Sequence, residues 1–195
     1  MSFFVAALAG LGIAATTSWW LLLVGVASII AAWTYTGGPN PYGYLGFGEL
    51  FVFVFFGVVA TVGTTYAVSE RIEGIDVVAS CVVGALAVAL LIVNNLRDIP
   101  TDQQSGKKTL AVRLGDARAR SFYVLLIAVS FVAVAVCAAD GPWSLLGLLA
   151  LPLAVAPVRV VRSGATGREL IAALGGTGRL QMAYGLVFAV GLALR

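Results

Sequence analysis

Histidine is absent from the 195-residue chain, and charged residues make up only 11% of it. Without imidazole, the chain has no histidine acid or base for catalysis and no histidine ligand for zinc or haem iron. Soluble domains contain about 25% charged residues, so this composition argues against a soluble protein. The two cysteines, Cys81 and Cys137, lie inside apolar runs, where we expect buried thiols and neither a disulfide nor a metal site.

Hydrophobic residues dominate instead, at 61% of the chain, with a mean hydropathy of +1.01. A helix needs ~20 apolar residues to cross the ~30 Å hydrocarbon core of a bilayer. Seven segments meet or approach that length, separated by short polar or Gly/Pro breaks. They are residues 2–16, 19–33, 48–68, 75–96, 119–139, 143–161 and 179–194. The sequence therefore predicts an all-α, polytopic transmembrane helical bundle of about seven helices in a lipid bilayer.

Lysine and arginine are concentrated in alternate breaks between these segments. Ten of the twelve lie in or beside residues 97–118 and 162–178, and the other two are Arg71 and Arg195. The positive-inside rule places these two breaks, and the break 34–47, in the cytoplasm. We therefore expect a multi-pass protein of the cytoplasmic (inner) membrane, with its N-terminus and the 97–118 loop on the cytoplasmic side.

A polar segment, NNLRDIPTDQQSGKK, follows the fourth apolar run. On a continuing helix, Asn94, Asp98 and Asp102 are spaced i, i+4 and i+8 and share one face. Pro100 makes the register after Ile99 uncertain, because proline loosens or kinks a helix. Two carboxylates and an amide oxygen on one face form a hard oxygen site of the kind that Mg²⁺ uses to bridge to substrate phosphates.

Cations follow these carboxylates closely in the sequence. Lys107, Lys108 and Arg113 are suited to diphosphate oxygens, which arginine contacts in bidentate fashion. The alternative is that these residues serve only membrane topology or lipid headgroups, as in many cytoplasmic loops. The residues alone leave both interpretations open.

The break TYTGGPNPYGYLGFGEL is rich in glycine and tyrosine and has no charge before Glu49. Tyr35, Tyr42 and Tyr44 could line an apolar cavity while offering hydroxyl groups, or they could be interfacial belt residues. A carboxylate near the end of a membrane helix, such as Glu49, either faces water or has a function. Tyr66 adds a polar position near the far end of the same apolar run.

Several of these stretches resemble a known family. NNLRDIPTDQQSGKKTLAVRLG resembles the second aspartate-rich motif of the UbiA superfamily of intramembrane prenyltransferases, and within it the branch that prenylates 1,4-dihydroxy-2-naphthoate. YTGGPNPYGYLGFGELFVFVFFG, GTTYAVS and LGGTGRLQMAYGLVFAVGLAL resemble other signatures of that branch. The resemblance covers essentially the whole chain. It implies a nine-helix bundle that moves a polyprenyl group from polyprenyl diphosphate to an aromatic acceptor, with demethylmenaquinone formation as the reaction.

The resemblance also implies roles for particular residues. Mg²⁺ would be held by Asp98 and Asp102, the residues most directly tied to catalysis, with Asn94 favoured as a further ligand. The remaining assignments are diphosphate contacts and residues of the cavity on the acceptor side. The first group is Arg97, Lys107, Lys108 and Arg113, and the second is Tyr35, Tyr44, Glu49 and Tyr66. No nucleic-acid partner is expected.

The family pattern has a first aspartate-rich motif that this sequence lacks. Before Asn94 the acidic residues are Glu49, Glu70, Glu73 and Asp76, and none has the required spacing. We therefore expect residues 1–195 to form a single prenyltransferase domain that is incomplete at its N-terminus, with its seven segments matching helices three to nine of the family. A complementing N-terminal chain is a possible partner, and we expect little or no transfer by this chain alone.

Two other functions remain open at this stage. A non-catalytic membrane scaffold or subunit derived from such an enzyme would explain the missing motif. A prenyltransferase with another aromatic acceptor would share the retained motif, although the tyrosine-rich signature argues against it.

Overall fold

The computed structural model describes residues 2–39 and 41–194, and over these residues the protein is helical, without β-strands. Eight helices follow one another within the described ranges. They are α1 (Ser2–Thr16), α2 (Trp20–Thr36), α3 (Gly48–Ser69), α4 (Gly74–Gln104), α5 (Leu110–Leu114), α6 (Asp116–Cys137), α7 (Pro142–Arg162) and α8 (Leu170–Ala193). Single 3₁₀ turns cover Tyr42–Leu45 and Gly167–Glu169.

The prediction of a helical membrane bundle is confirmed. Each of the seven predicted segments coincides with one long helix, and only the short α5 is additional within the described residues. Four helices, α3, α4, α6 and α7, are long and apolar enough to cross a membrane, whereas α1 and α2 are apolar but shorter. The predictions for Met1 and Arg195 lie outside the described residues.

One predicted boundary was wrong. The last helix begins at Leu170, not at residue 179, so the glycine-rich stretch before Arg179 is helical. The reason is packing: Gly176 faces the Pro157 ring of α7, and a Cβ at Gly176 would lie only 3.1 Å from that ring. The helix α4 continues beyond the apolar run, as the placement of Asn94 to Asp102 on one helix requires, and passes through Pro100 to end at Gln104.

The centre of the bundle is α4, which packs against α3, α6 and α8. Its side chains Leu86, Ile92 and Val93 are fully buried in the contact region. Lipid tails are as apolar as these side chains, so their association depends on close van der Waals packing. The central position of α4 gives the polar residues near its C-terminal end a firmly packed support.

A close backbone contact joins α3 and α4. The helix α3 is π-helical over Phe53–Val59, and Gly57 in this stretch faces Gly84 of α4. A Cβ on Gly57 would lie 2.5 Å from the Gly84 Cα atom, so only glycine permits this approach. The two helices are therefore fixed at a short separation near their middle.

Candidate functional site

A polar cavity of about 190 Å³ lies where α4 leaves the apolar part of the bundle. It is formed by the C-terminal end of α2, the 3₁₀ turn that precedes α3, the last turns of α4 and the loop after α4. The lining residues are Tyr35, Thr36, Gly43, Tyr44, Asn94, Asn95, Asp98, Asp102, Lys107 and Thr109. Most of them carry an oxygen or nitrogen atom that can bind a polar ligand.

Asn94, Asp98 and Asp102 all line this cavity, so the predicted common face is confirmed. The register holds because α4 stays helical through Pro100. Asp102 is only 6% exposed, whereas Asp98 is half-buried. Their roles as ligands stay a prediction, but their side chains are placed together.

Each carboxylate of the cavity has a cation beside it. Arg97 donates from Nε and Nη2 to the two oxygens of Asp98, both at 2.7 Å. The Lys107 Nζ atom lies 3.4 Å from Asp102 Oδ1 and 4.6 Å from the centre of the Tyr44 ring. Of the two cations, Lys107 lines the cavity, whereas Arg97 does not and reaches it only through its pairing with Asp98.

Lys108 and Arg113 do not line the cavity, although both were predicted to contact diphosphate. The Lys108 amide N–H donates to the Tyr44 carbonyl at 2.8 Å. Arg113 donates from Nε to the Lys108 carbonyl at 3.1 Å and from Nη2 to the Leu45 carbonyl at 2.6 Å. Their observed contacts join the loop after α4 to the tyrosine-rich turn before α3.

Gly46 makes this junction possible. Its backbone is left-handed, with φ of +82°, and a Cβ would lie 2.7 Å from the Lys108 carbonyl oxygen and 2.8 Å from Arg113 Nε. A side chain at this position would be strained and would also push the two loops apart. The glycine-rich composition of the predicted break thus has a structural cause.

Glu49 and Asn95 connect α3 to α4 beside the cavity. Glu49 is only 5% exposed, and its Oε1 accepts a hydrogen bond of 2.9 Å from Asn95 Nδ2. The sequence identified Glu49 as a candidate site residue. It favoured Asn94 as the further metal ligand and assigned no role to Asn95. The partners are separated by 46 positions in the chain, and no local pattern could reveal the pair.

Tyr35 and Tyr44 line the polar cavity, whereas Tyr66 does not, and the acceptor-side roles of these residues stay a prediction. Tyr66 is near the C-terminal end of α3, roughly 25 Å beyond Glu49 at ~1.5 Å per residue. Tyr42 is close to the cavity but directs its hydroxyl to the Ala31 carbonyl at 2.8 Å. Burial raises the pKa of Tyr42, so this hydroxyl stays protonated at neutral pH and remains a donor.

Two apolar cavities adjoin the polar one. A cavity of about 440 Å³ shares Asn94 with it and is otherwise lined mainly by apolar residues of α3, α4 and α8. A second, of about 500 Å³, shares Tyr35 and contains the aromatic rings of Tyr42, Phe51 and Phe55. The arrangement suits an amphiphile with a charged head and a long apolar tail, together with a flat aromatic molecule.

The donor set of the polar cavity is compatible with a shared magnesium ion. Within residues 2–39 and 41–194, no group of three or more His, Cys, Asp or Glu side chains is arranged to hold a metal. However, Mg²⁺ retains several waters and is commonly bound by one or two carboxylates plus substrate phosphates. Asp98 and Asp102 therefore fit a metal ion shared with a phosphate ligand better than one held by the protein alone.

Sequence comparison gives a consistent family match. The profile of the UbiA prenyltransferase family matches residues 1–169. The 1,4-dihydroxy-2-naphthoate octaprenyltransferase of Mycobacterium tuberculosis is 50% identical over 187 residues, covering 96% of this chain and 64% of that protein. The protein of the same name from Bacillus subtilis is 30% identical over 196 residues, covering 99% of this chain and 63% of that protein. The chain thus spans less than two thirds of the length of these relatives. No solved structure matches it significantly.

Proposed function

Because the chain belongs to the UbiA prenyltransferase family, we propose that it takes part in transfer of a polyprenyl group from polyprenyl diphosphate to 1,4-dihydroxy-2-naphthoate. The transfer would release diphosphate and the acceptor's carboxylate as carbon dioxide, giving demethylmenaquinol, the reduced form of the demethylmenaquinone of menaquinone biosynthesis. One observation carries the proposal: a polar cavity with two carboxylates and two nearby cations shares lining residues with two apolar cavities. The names of the similar proteins supply the acceptor and the prenyl donor.

The diphosphate would occupy the polar cavity. Asp98, Asp102 and Asn94 would hold Mg²⁺ there, and the ion would neutralise negative charge that develops on the departing diphosphate. Lys107, which lines the cavity, and Arg97, which is paired with the lining residue Asp98, would turn from the carboxylates toward diphosphate oxygens. Stabilising the leaving group in this way favours breakage of the bond between the prenyl carbon and oxygen.

The two organic groups would be separated between the apolar cavities. The aliphatic cavity beside Asn94 suits the prenyl tail, and the cavity with Tyr35, Tyr42 and Phe51 suits stacking of the naphthoate ring. Glu49 and Tyr44 would complete the acceptor side. Both cavities are apolar, so they would keep water away from the reactive prenyl carbon.

The proposal includes the placement of the protein in the membrane. The polar cavity would face the cytoplasm at the inner membrane, because the cationic breaks belong to that side. Residues 1–195 would form one prenyltransferase domain that is incomplete at its N-terminus. The first aspartate-rich motif would come from a segment outside these residues, on the same polypeptide or on a complementing chain, in line with the coverage of the relatives.

Binding of the prenyl donor tests the proposal directly. The chain is reconstituted in nanodiscs, and binding of radiolabelled polyprenyl diphosphate is measured with Mg²⁺ or with EDTA. We expect binding that depends on Mg²⁺ and that weakens about tenfold or more in Asp98→Asn or Asp102→Asn, equivalent to about 1.4 kcal/mol. Asp140→Asn is the matched control. Asp140 is exposed and follows the C-terminal end of α6, whereas the loop after α4 leads into the N-terminal end of that helix.

Two results would contradict the proposal. Binding of polyprenyl diphosphate that is unchanged by EDTA would exclude a role for the metal in binding. Equal binding by Asp98→Asn, Asp102→Asn and the control Asp140→Asn would exclude Asp98 and Asp102 from the binding site. Transfer to the naphthoate by this chain alone is expected to be little or none. Robust turnover would show that the first motif is dispensable.

A further inference from the structure

Glu49 is a buried carboxylate whose side chain is bound by an amide and not by a cation. It is 5% exposed, and Asn95 Nδ2 donates to it at 2.9 Å. Among the residues that the structure describes, the ion pairs are Arg97–Asp98, Lys107–Asp102 and Arg120–Asp116, and none includes Glu49. Such a carboxylate is costly to bury, so its position beside the polar cavity calls for a specific function.

The hydrogen bond with Glu49 determines the orientation of the Asn95 side-chain amide, that is, whether its NH₂ group or its carbonyl oxygen faces the polar cavity. Asn95 Nδ2 is the donor and Glu49 Oε1 the acceptor, so the NH₂ end of the amide faces Glu49. The C=O bond of the amide diverges from its C–N bond, so Oδ1 is directed away from Glu49. Asn95 is also part of the lining of the polar cavity, next to Asp98. This orientation leaves an oxygen acceptor, and not an N–H donor, for the cavity.

We propose that Glu49 is a positioning residue that holds Asn95 with its carbonyl oxygen toward the carboxylates of the polar cavity. The cavity then presents oxygen atoms from Asn95, Asp98 and Asp102 to a divalent cation. Without Glu49, the Asn95 amide is free to rotate by half a turn and present its NH₂ group, which repels a cation. This inference rests on the proposed function, since it concerns the same metal and diphosphate.

The packing of α3 on α4 explains why Glu49 can reach Asn95. Gly57 and Gly84 fix the closest approach of the two helices. Along the axis of α3, Glu49 is roughly 12 Å from Gly57, at ~1.5 Å per residue. Along the axis of α4, Asn95 is roughly 16 Å from Gly84. Both residues lie toward the end of the helix pair that carries the polar cavity. The side chains therefore meet across a rigid helix pair.

Replacement of Glu49 by glutamine or leucine separates hydrogen bonding from packing. Glu49→Gln keeps a carbonyl oxygen that can accept from Asn95, whereas Glu49→Leu keeps similar volume but removes the acceptor. The probe is Mn²⁺, whose binding to the chain in nanodiscs is measured by electron paramagnetic resonance in the presence of polyprenyl diphosphate. We expect Glu49→Leu to weaken Mn²⁺ binding about 10–100-fold, as is typical when the partner of a metal ligand is lost.

Glu49→Gln is expected to bind Mn²⁺ within about threefold of the unmodified chain, because the amide orientation is retained. Asn95→Ala removes the proposed oxygen and should weaken binding as much as Glu49→Leu. The double variant should be no weaker than either single variant, because both act through one oxygen atom. Because contacting residues with a purely structural role also couple, the comparison of Glu49→Gln with Glu49→Leu distinguishes the positioning role.

The outcomes separate this inference from the function it rests on. If Asp102→Asn loses Mn²⁺ while Glu49→Leu and Asn95→Ala bind normally, the positioning role is overturned and the proposed function stands. Equal losses in Glu49→Gln and Glu49→Leu would also overturn it. If the unmodified chain binds no Mn²⁺ together with polyprenyl diphosphate, both proposals fail. Should Glu49→Leu not fold, the comparison of Asn95→Ala with Glu49→Gln tests the positioning role. Weaker Mn²⁺ binding by Asn95→Ala than by Glu49→Gln supports it, and equal binding by the two variants overturns it.

Discussion

The contact between Gly57 and Gly84 predicts that Gly57→Ala destabilises the bundle. The new methyl group would lie 2.5 Å from the Gly84 Cα atom and 2.9 Å from both Gly84 N and the Ser80 carbonyl oxygen. These are backbone atoms of α4, which no rotamer change can move. Ordinary contact begins near 3.5 Å, so α3 and α4 must separate by about 1 Å. Overpacking of this kind costs about 1–3 kcal/mol.

Gly63→Ala is the matched control in the same helix. No atom lies within 4 Å of a Cβ built at Gly63, so its methyl group enters open space. Alanine also favours helix over glycine by about 1 kcal/mol at either position, and the comparison cancels this gain. For a protein of this size, 1 kcal/mol changes Tm by about 2–4 °C. We therefore expect Gly57→Ala to unfold about 2–12 °C below Gly63→Ala.

Thermal unfolding in detergent, followed by circular dichroism at 222 nm, measures this difference. The two variants differ from each other only in the position of one methyl group on α3. Equal Tm values would refute the reasoning, because they would show that the helices separate without cost or that Gly57 does not face Gly84 in the membrane protein.

Two further predictions concern side chains that join loops. Arg120 donates to the Val161 carbonyl at 2.5 Å and to the Ala165 carbonyl at 2.8 Å, so Arg120→Met should cost about 1–3 kcal/mol and lower Tm without changing binding of polyprenyl diphosphate. A parallel loss of binding would contradict the purely structural role. Arg113→Lys cannot keep both carbonyl contacts with its single ammonium group. Limited trypsin digestion should therefore cleave the loop after α4 faster in this variant, and an unchanged rate would show that the contacts do not hold the loop.

The helices were predictable because the bilayer imposes a strong requirement on the sequence. Every backbone group in lipid must be bonded internally, so each long apolar run has to be a helix. Local departures were not predictable from the same runs. The π-helical stretch Phe53–Val59 and the early start of α8 at Leu170 depend on which helix lies opposite, and hydropathy carries no information about that neighbour.

The candidate site was predictable to the extent that it lies on one helix. The spacing of Asn94, Asp98 and Asp102 was sufficient to place them on a common face. The contact of Arg113 with Leu45, 68 positions away, could not be predicted, because it depends on the approach of two loops. In the sequence, a cation that contacts a ligand and a cation that joins two loops look the same when each follows a pair of carboxylates.

The length of α4 has a consequence for how a membrane-dissolved substrate would be met. Its 31 residues extend about 46 Å, whereas the hydrocarbon core is ~30 Å thick. The excess of about 16 Å is roughly the length of residues 94–104, the polar end of the helix. For a helix that enters the hydrocarbon core near Gly74 and crosses it without tilt, Asp98 and Asp102 lie at the level of the lipid headgroups. In the proposed function, a polyprenyl diphosphate would reach them by lateral diffusion, with its tail remaining in the bilayer.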